Sequence, residues 1–227
     1  MYKLRSMVLA GTHLLTRLVV GGVFGKIPKH EPCLFCPNHS SLLDGVILGG
    51  VVTWHLKKFL PTLVHAEAFN HWFFGYCLRS SYCIPINRND NASIKFAMQK
   101  AFGYLKSGMS VGIFPEGKLN DGTRLRIPRP GASILALSSG VPIIPVGIRG
   151  TDRFLGKGFD KFKRPVTIHF GNPIDVKSEH ATYINPSATD DTRRELISHI
   201  SAKIIHAIAD LSKMQPPRQR VRSAQAH

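Results

Sequence analysis

The stretch Cys33-Leu34-Phe35-Cys36-Pro37-Asn38-His39-Ser40-Ser41-Leu42-Leu43-Asp44 decides how this chain folds. Its first four residues are apolar and lie between Pro32 and Pro37, as a short buried strand requires. The polar residues that follow cannot continue such a strand. Ser40 and Ser41 instead offer oxygens to the orphan N–H groups of a helix start, and the apolar run from Leu42 to Trp54 supplies the helix. Strand, polar loop and helix form one unit of an α/β layer.

The unit recurs downstream. Leu63 to Ala66 is a second expected strand, Ala68 to Leu78 an aromatic-rich helix and Tyr82 to Ile86 a third strand. Asn89 to Asn91 caps a helix with apolar residues at Ile94, Ala97, Met98, Ala101, Phe102 and Leu105, which Gly108 closes. Val111 to Phe114 is a strand, Pro115 to Pro130 a loop, Ala132 to Ser139 a helix, and Val141 to Ile148 a strand. Its two prolines place that strand at an edge or in an irregular pairing. A basic loop, a strand at Val166 to Phe170 and a helix at Asp191 to Leu211 complete the pattern. The expected fold class is α/β, a mainly parallel or mixed sheet flanked by helices.

The 227 residues suit a single domain with appendages. Apolar residues make up 43% and charged residues 19%, which excludes a disordered solvating protein. Lys and Arg number 30 against 14 Asp and Glu, and the resulting net charge of +16 points to an anionic partner. The first segment is basic and then apolar, with Thr12, His13, Thr16 and Arg17 forming a polar stripe among leucines and valines. That stripe predicts an amphipathic helix in a membrane interface. The tail around Arg218, Arg220 and Arg222 has no hydrophobic period and is expected to be disordered. The domain expectation is therefore 1–29 for the membrane-associating helix, 30–212 for the main α/β domain and 213–227 for the tail.

Three familiar patterns fail on their chemistry. Gly112 to Lys118 matches most of a phosphate-binding loop, but Pro115 has no N–H, Glu116 repels a phosphate and Leu119 replaces the metal-binding hydroxyl. Cys33 and Cys36, with His65 and Glu67, carry a zinc deaminase signature in reversed order, and an odd spacing sends the cysteines to opposite faces of a strand. No G-x-S-x-G occurs. The expectation is no metal, no cofactor and four reduced cysteines.

His39 and Asp44 carry the chemistry. On one continuous helix, five residues at about 100° each would set them about 140° apart, so they meet only if His39 lies outside the helix. Asp44 then accepts from one ring nitrogen and the other becomes a base for a hydroxyl. The alternative reading is a helix cap with a surface histidine and a first-turn acid.

The heptapeptide Asn38 to Asp44 and three further segments occur in the order of the glycerolipid acyltransferase family, which this chain resembles. Asn-His-x-Ser-x-x-Asp is complete, Ile84-Pro85-Ile86-Asn87-Arg88 resembles the second motif, Phe114-Pro115-Glu116-Gly117 is the third in full, and Val141 to Val146 is similar to the fourth. Lys118-Leu119 departs from the Thr-Arg or Ser-Arg that commonly follows the third motif. Arg124, Arg126 or Arg129 could supply that charge, with Arg129 first because it stands before Gly131-Ala132 as the family's basic residue does.

The resemblance implies transfer of a fatty acyl group from acyl-CoA or acyl-carrier protein to a lysophospholipid hydroxyl, 1-acyl-glycerol-3-phosphate foremost, in phospholipid biosynthesis. His39 would be general base and Asp44 its partner. Arg88 and Arg129 would bind the acceptor phosphate, Glu116 its glycerol hydroxyls, and Gly117 would allow close backbone approach. No cofactor is implied beyond the donor substrate. Membrane lipids would be partners, nucleic acid would not, and the cytoplasmic face of a membrane is the expected location. The alternatives are an acyltransferase for another lysolipid, including amino-acid lipids, or a transacylase. A non-catalytic basic membrane- or nucleic-acid-binding protein is the alternative of another class.

Overall fold

Residues Leu34–Pro37 do form a strand, β1, and all four are buried. The computed structural model describes residues 27–28, 30–56, 60–152 and 166–218. The membrane-helix expectation at 1–29 thus lies almost wholly outside the described residues, as do the end of the expected tail and all of the basic loop at 154–164. On one side β1 pairs in parallel with β4 (Val111–Gly112) and on the other with β5 (Ile143–Arg149). A second pair, β2 (Leu63–His65) and β3 (Ile84–Ile86), is also parallel and joins β4 through the Thr62–Gly112 bridge. β6 (Thr167–Phe170) closes the far edge antiparallel to β5. The order β3-β2-β4-β1-β5-β6 is a mixed sheet within an α/β fold, as the residue pattern implies.

The odd spacing along β1 divides the core. Leu34 and Cys36 join one cluster with Val111, Leu105, Leu135 and Ile204, while Cys33 and Phe35 join the other with Ile47, Leu48, Val146 and Ile168. The second cluster is covered by α1 (Leu43–Leu56). The first is covered by α3 (Asn91–Lys106), α4 (Gly131–Ser139) and α6 (Asp190–Ser212). A strand buried on both faces needs apolar residues at every position, and CLFC supplies them. Helix starts follow local chemistry: Asp90 accepts from the Ala92 N–H at 2.9 Å, and Thr189 from the Thr192 N–H at 3.1 Å. Gly147 lets α6 press against the sheet, since a Cβ there would stand 2.4 Å from the Leu211 backbone.

Several expectations need correction. β5 is a central strand although it contains Pro145, so of the two settings expected for its prolines the edge is ruled out and the irregular pairing holds. The Pro145 carbonyl accepts from Gly171 N–H, just beyond the end of β6, so its missing N–H points where that ladder has stopped and no bond to β1 is lost. The aromatic segment splits into a 3-10 helix (Ala66–Asn70) and α2 (Trp72–Ser80). The strand at Tyr82 starts later, because Tyr82 has φ 58° and cannot extend. α5 (Lys177–Ile184) has no buried residue and hence no apolar period to announce it. The expected tail boundary at 213 falls too early: Gln215 exchanges backbone hydrogen bonds with Thr123 and Leu125, and Met214 packs on the first core cluster.

Candidate active site

β1 ends at Pro37 and α1 begins at Leu43, and the five residues between carry His39 past the carboxyl end of a parallel strand. Ligand sites in open α/β sheets collect at such ends. Asn38 fixes the exit: its fully buried side chain donates to the Ile148 carbonyl at 2.9 Å and accepts from the Ile148 N–H at 2.6 Å. An amide that presents one donor and one acceptor thus continues the ladder where the main chain has turned away. Asp44, fully buried in the first turn of α1, accepts from the Ser40 and Ser41 N–H groups at 2.7 Å each through Oδ2. The same oxygen lies 3.2 Å from His39 Nδ1. His39 therefore stands outside the helix with Nδ1 turned inward, and Nε2 is the ring nitrogen left for a substrate. Its side chain is 14% exposed.

The second wall is the Phe114-Pro115-Glu116-Gly117 turn. The Phe114 ring lies 4.1 Å from the His39 ring, centre to centre, and restricts its tilt. Glu116 was expected at the acceptor's hydroxyls, but it is only 2% exposed. Its Oε1 accepts from the His39 N–H at 2.8 Å and its Oε2 from the Arg126 N–H at 2.8 Å. Asn120 Nδ2 donates to both oxygens at 2.9 and 3.1 Å. Both carboxylate oxygens are thus occupied by the protein itself. Burial raises the Glu116 carboxyl above its ordinary range, outweighing the bonds from Arg126, His39 and Asn120 that favour the anion.

Phe114 and Gly117 also border a cavity of about 230 Å³ between β3, α3 and the start of α4, lined by Leu63, Ile86, Met98 and Ile134 among others. Arg88 and Arg129 are the charged residues on its wall. Burial, together with the nearby Arg129 charge, lowers Arg88 from the usual arginine range. Among the described residues no carboxylate pairs with either guanidinium. Two close unpaired cations favour an anion between them. Of the three arginines considered for this role, Arg124 instead donates to Gln215 and the Pro216 carbonyl, and Arg126 to the Leu119 carbonyl at 2.7 Å. Gly117 has φ +67°, and a Cβ there would stand 2.7 Å from Arg129 Cδ, so glycine both makes the turn and leaves room for Arg129.

The cysteines take no part. Burial pushes the Cys33 thiol up to about 12 and Cys36 higher still, so both are inert thiols in the two halves of the core. His65, at the end of β2, and Glu67 lie 3.7 Å apart, and among the described residues no group of three or more His, Cys, Asp or Glu is placed to hold a metal ion. Sequence reasoning missed Asn120, which holds the Glu116 carboxylate, and Met214, whose sulfur lies 3.8 Å from the amide nitrogens of Asn38 and Asn120. Asn120-Asp121-Gly122 is legible as a turn, but nothing local reveals the residues that the turn approaches.

A family model described as Acyltransferase matches residues 24–149. Among curated proteins, the chain is 30% identical over 177 residues to a 1-acyl-sn-glycerol-3-phosphate acyltransferase of Cocos nucifera, covering 77% of this chain and 52% of that protein. It is 38% identical over 131 residues to a protein of the same name from Borreliella burgdorferi, covering 58% and 51% respectively. The chain thus spans about half the length of these relatives. The crystal structure of the 1-acyl-sn-glycerophosphate acyltransferase PlsC from Thermotoga maritima superposes with a TM-score of 0.61 at 21% identity, over 92% of this chain and 82% of that one, and shares the fold.

Proposed function

This chain belongs to the acyltransferase family, and we propose on that premise that it moves a fatty acyl group from a thioester donor to the hydroxyl of a lysophospholipid, 1-acyl-glycerol-3-phosphate foremost. One observation carries the reading: Phe114 lies against the His39 ring and also lines an apolar cavity bearing Arg88 and Arg129. A base, an apolar space and a paired-cation site then share one wall. The names of the relatives point the same way.

His39 Nε2 takes the proton of the acceptor hydroxyl as its oxygen attacks the thioester carbon, and Asp44 stabilises the resulting imidazolium through Nδ1–H. Collapse of the tetrahedral intermediate breaks the carbon–sulfur bond, and the imidazolium proton goes to the departing thiolate. A thioester is already activated, so a positioned base suffices and no covalent enzyme intermediate is needed. Arg88 and Arg129 hold the acceptor phosphate, and Gly117 keeps Arg129 in place. Acyl-CoA and acyl-carrier protein are both anionic donors suited to a chain of net charge +16. The same charge attracts an anionic leaflet, at about 1 kcal/mol per basic residue near its surface. Residues 1–29 are the membrane-associating segment, and the catalytic domain runs from residue 30 past 212 to take in Met214 and Gln215. No helix of the described residues is long and apolar enough to cross a membrane.

The test is the purified full chain given both donor types and a panel of lysolipids, including lysophosphatidic acid and an amino-acid lysolipid, with products read by mass spectrometry. Diacyl phosphatidic acid as main product, lost in His39→Ala, is expected. Products unchanged in a folded His39→Ala protein would overturn the mechanism.

A further inference from the structure

We propose that Asn120 is a positioning residue for His39, acting through both polar groups of the His39 main chain. The His39 carbonyl accepts from the Asn120 N–H at 2.7 Å, and the His39 N–H is held by the Glu116 carboxylate at 2.8 Å. Asn120 therefore grips one end of this residue directly and the other through Glu116, whose two oxygens its Nδ2 bridges. The amide can sit only one way round. Its Oδ1 accepts from the Ser40 hydroxyl at 2.9 Å and from the Gly122 N–H at 2.8 Å, while Nδ2 faces a carboxylate that needs donors. Ser40 neighbours His39, so the side chain also braces the next residue of the loop.

The grip bears on chemistry because His39 has few other restraints. Its ring meets Asp44 at 3.2 Å and the Phe114 ring at 4.1 Å, and both contacts depend on where the main chain sets Cα. A displacement of about 1 Å in a reacting group can lower a rate by about a hundredfold. The titratable and charged groups around the clamp are His39 on the loop, Asp44 in the first turn of α1, Glu116 itself, Asp121 beside Asn120, Asp152 against Gly122, and Arg126 on the Leu119 carbonyl. All are common to the wild type and its variants.

The inference rests on the proposed acyl transfer with His39 as base, and two variants test it. Asn120→Ala removes the bridge to Glu116 and is expected to lower kcat about tenfold or more with acceptor KM within about twofold, equally at every pH. Asn120→Asp replaces the Nδ2 donor by a carboxylate oxygen facing Glu116. Two carboxyls so close cannot both ionise cheaply, and at low pH one shared proton restores the missing bond. The ratio of Asn120→Asp to wild-type kcat is therefore expected to fall at least about threefold from about pH 5.5 to about pH 8, spanning the range where such a pair titrates. A purely structural role would not give this slope in folded protein. Hydrogen exchange of the His39 amide, faster in both variants than in wild type, reads the grip without any substrate. Wild-type kcat in both variants, or a flat ratio with unchanged exchange at His39, overturns the proposal. If the wild type itself transfers no acyl group, the functional reading fails, and the exchange measurement alone decides whether Asn120 holds His39.

Discussion

Replacing Glu116 by Gln separates two roles for that residue that the sequence cannot distinguish. The change is isosteric and exchanges one carboxylate oxygen for an NH2 group. Both oxygens face only donors: His39 N–H and Asn120 Nδ2 at Oε1, Arg126 N–H and Asn120 Nδ2 at Oε2. Whichever way the new amide turns, its NH2 opposes a backbone N–H and leaves that donor unsatisfied. Asn120 cannot compensate by flipping, because its Oδ1 is held by Ser40 and Gly122. One orphaned buried donor costs about 1–3 kcal/mol, and the weakened bond to Asn120 about 1 kcal/mol more. A total of about 2–4 kcal/mol corresponds to a Tm lower by roughly 4–16 °C at about 2–4 °C per kcal/mol for a chain of this size. Thermal unfolding followed by circular dichroism measures it, alongside kcat and acceptor KM. The expected outcome is a lower Tm and lower kcat with acceptor KM little changed. An unchanged Tm with a strongly raised acceptor KM would refute this reasoning and return Glu116 to the acceptor's hydroxyls.

Asp44→Asn should lower kcat about a hundredfold or more, by steady-state kinetics, and also lower Tm by a few degrees, since Oδ2 serves the Ser40 and Ser41 N–H groups as well as His39. Gly117→Ala places a Cβ 2.7 Å from Arg129 Cδ in a left-handed turn. Strain of about 1–2 kcal/mol and a raised acceptor KM are expected together, and Arg129→Ala should reproduce the KM effect without the strain. Glu179 is held down to about 2 by Ser178 and then Lys203. A depressed carboxyl stabilises the fold above its unfolded value and loses that contribution as pH falls. Glu179→Gln, which loosens the α5–α6 contact, should therefore lower Tm slightly at neutral pH, and the difference from wild type should vanish as pH falls from about 4.5 toward 2. A difference that persists unchanged at low pH would refute that assignment.

Local patterns were legible in the residues alone. Apolar runs between prolines, the 3.6-residue period from Ile94 to Leu105 and Ser41, whose hydroxyl accepts from the Leu43 N–H, each depend on neighbours within a few positions, so they gave strand, helix and cap without a partner, whereas the Ser40 hydroxyl turns to Asn120. The separation of five between His39 and Asp44 required His39 to leave the helix for the pair to meet, for the same reason. Elements without a period stayed hidden, as α5 did, and the prolines of β5 left an edge and an irregular pairing both open, because a proline shows the lost N–H but not where a neighbouring strand ends.

The sequence by itself determined the α/β layering, the loop that presents His39 and the motif order that relates the chain to its family. Only the tertiary structure decided that Glu116 faces the His39 loop, that Asn120 holds it and that Arg129 borders the cavity while Arg124 and Arg126 turn elsewhere. The physical reason is distance along the chain. Side-chain periodicity is set by the backbone within a turn or two, whereas the bonds at the site join residues 77 apart, as His39 to Glu116, or 110 apart, as Asn38 to Ile148. Those partners exist only after β1, β4 and β5 have lined up in one sheet.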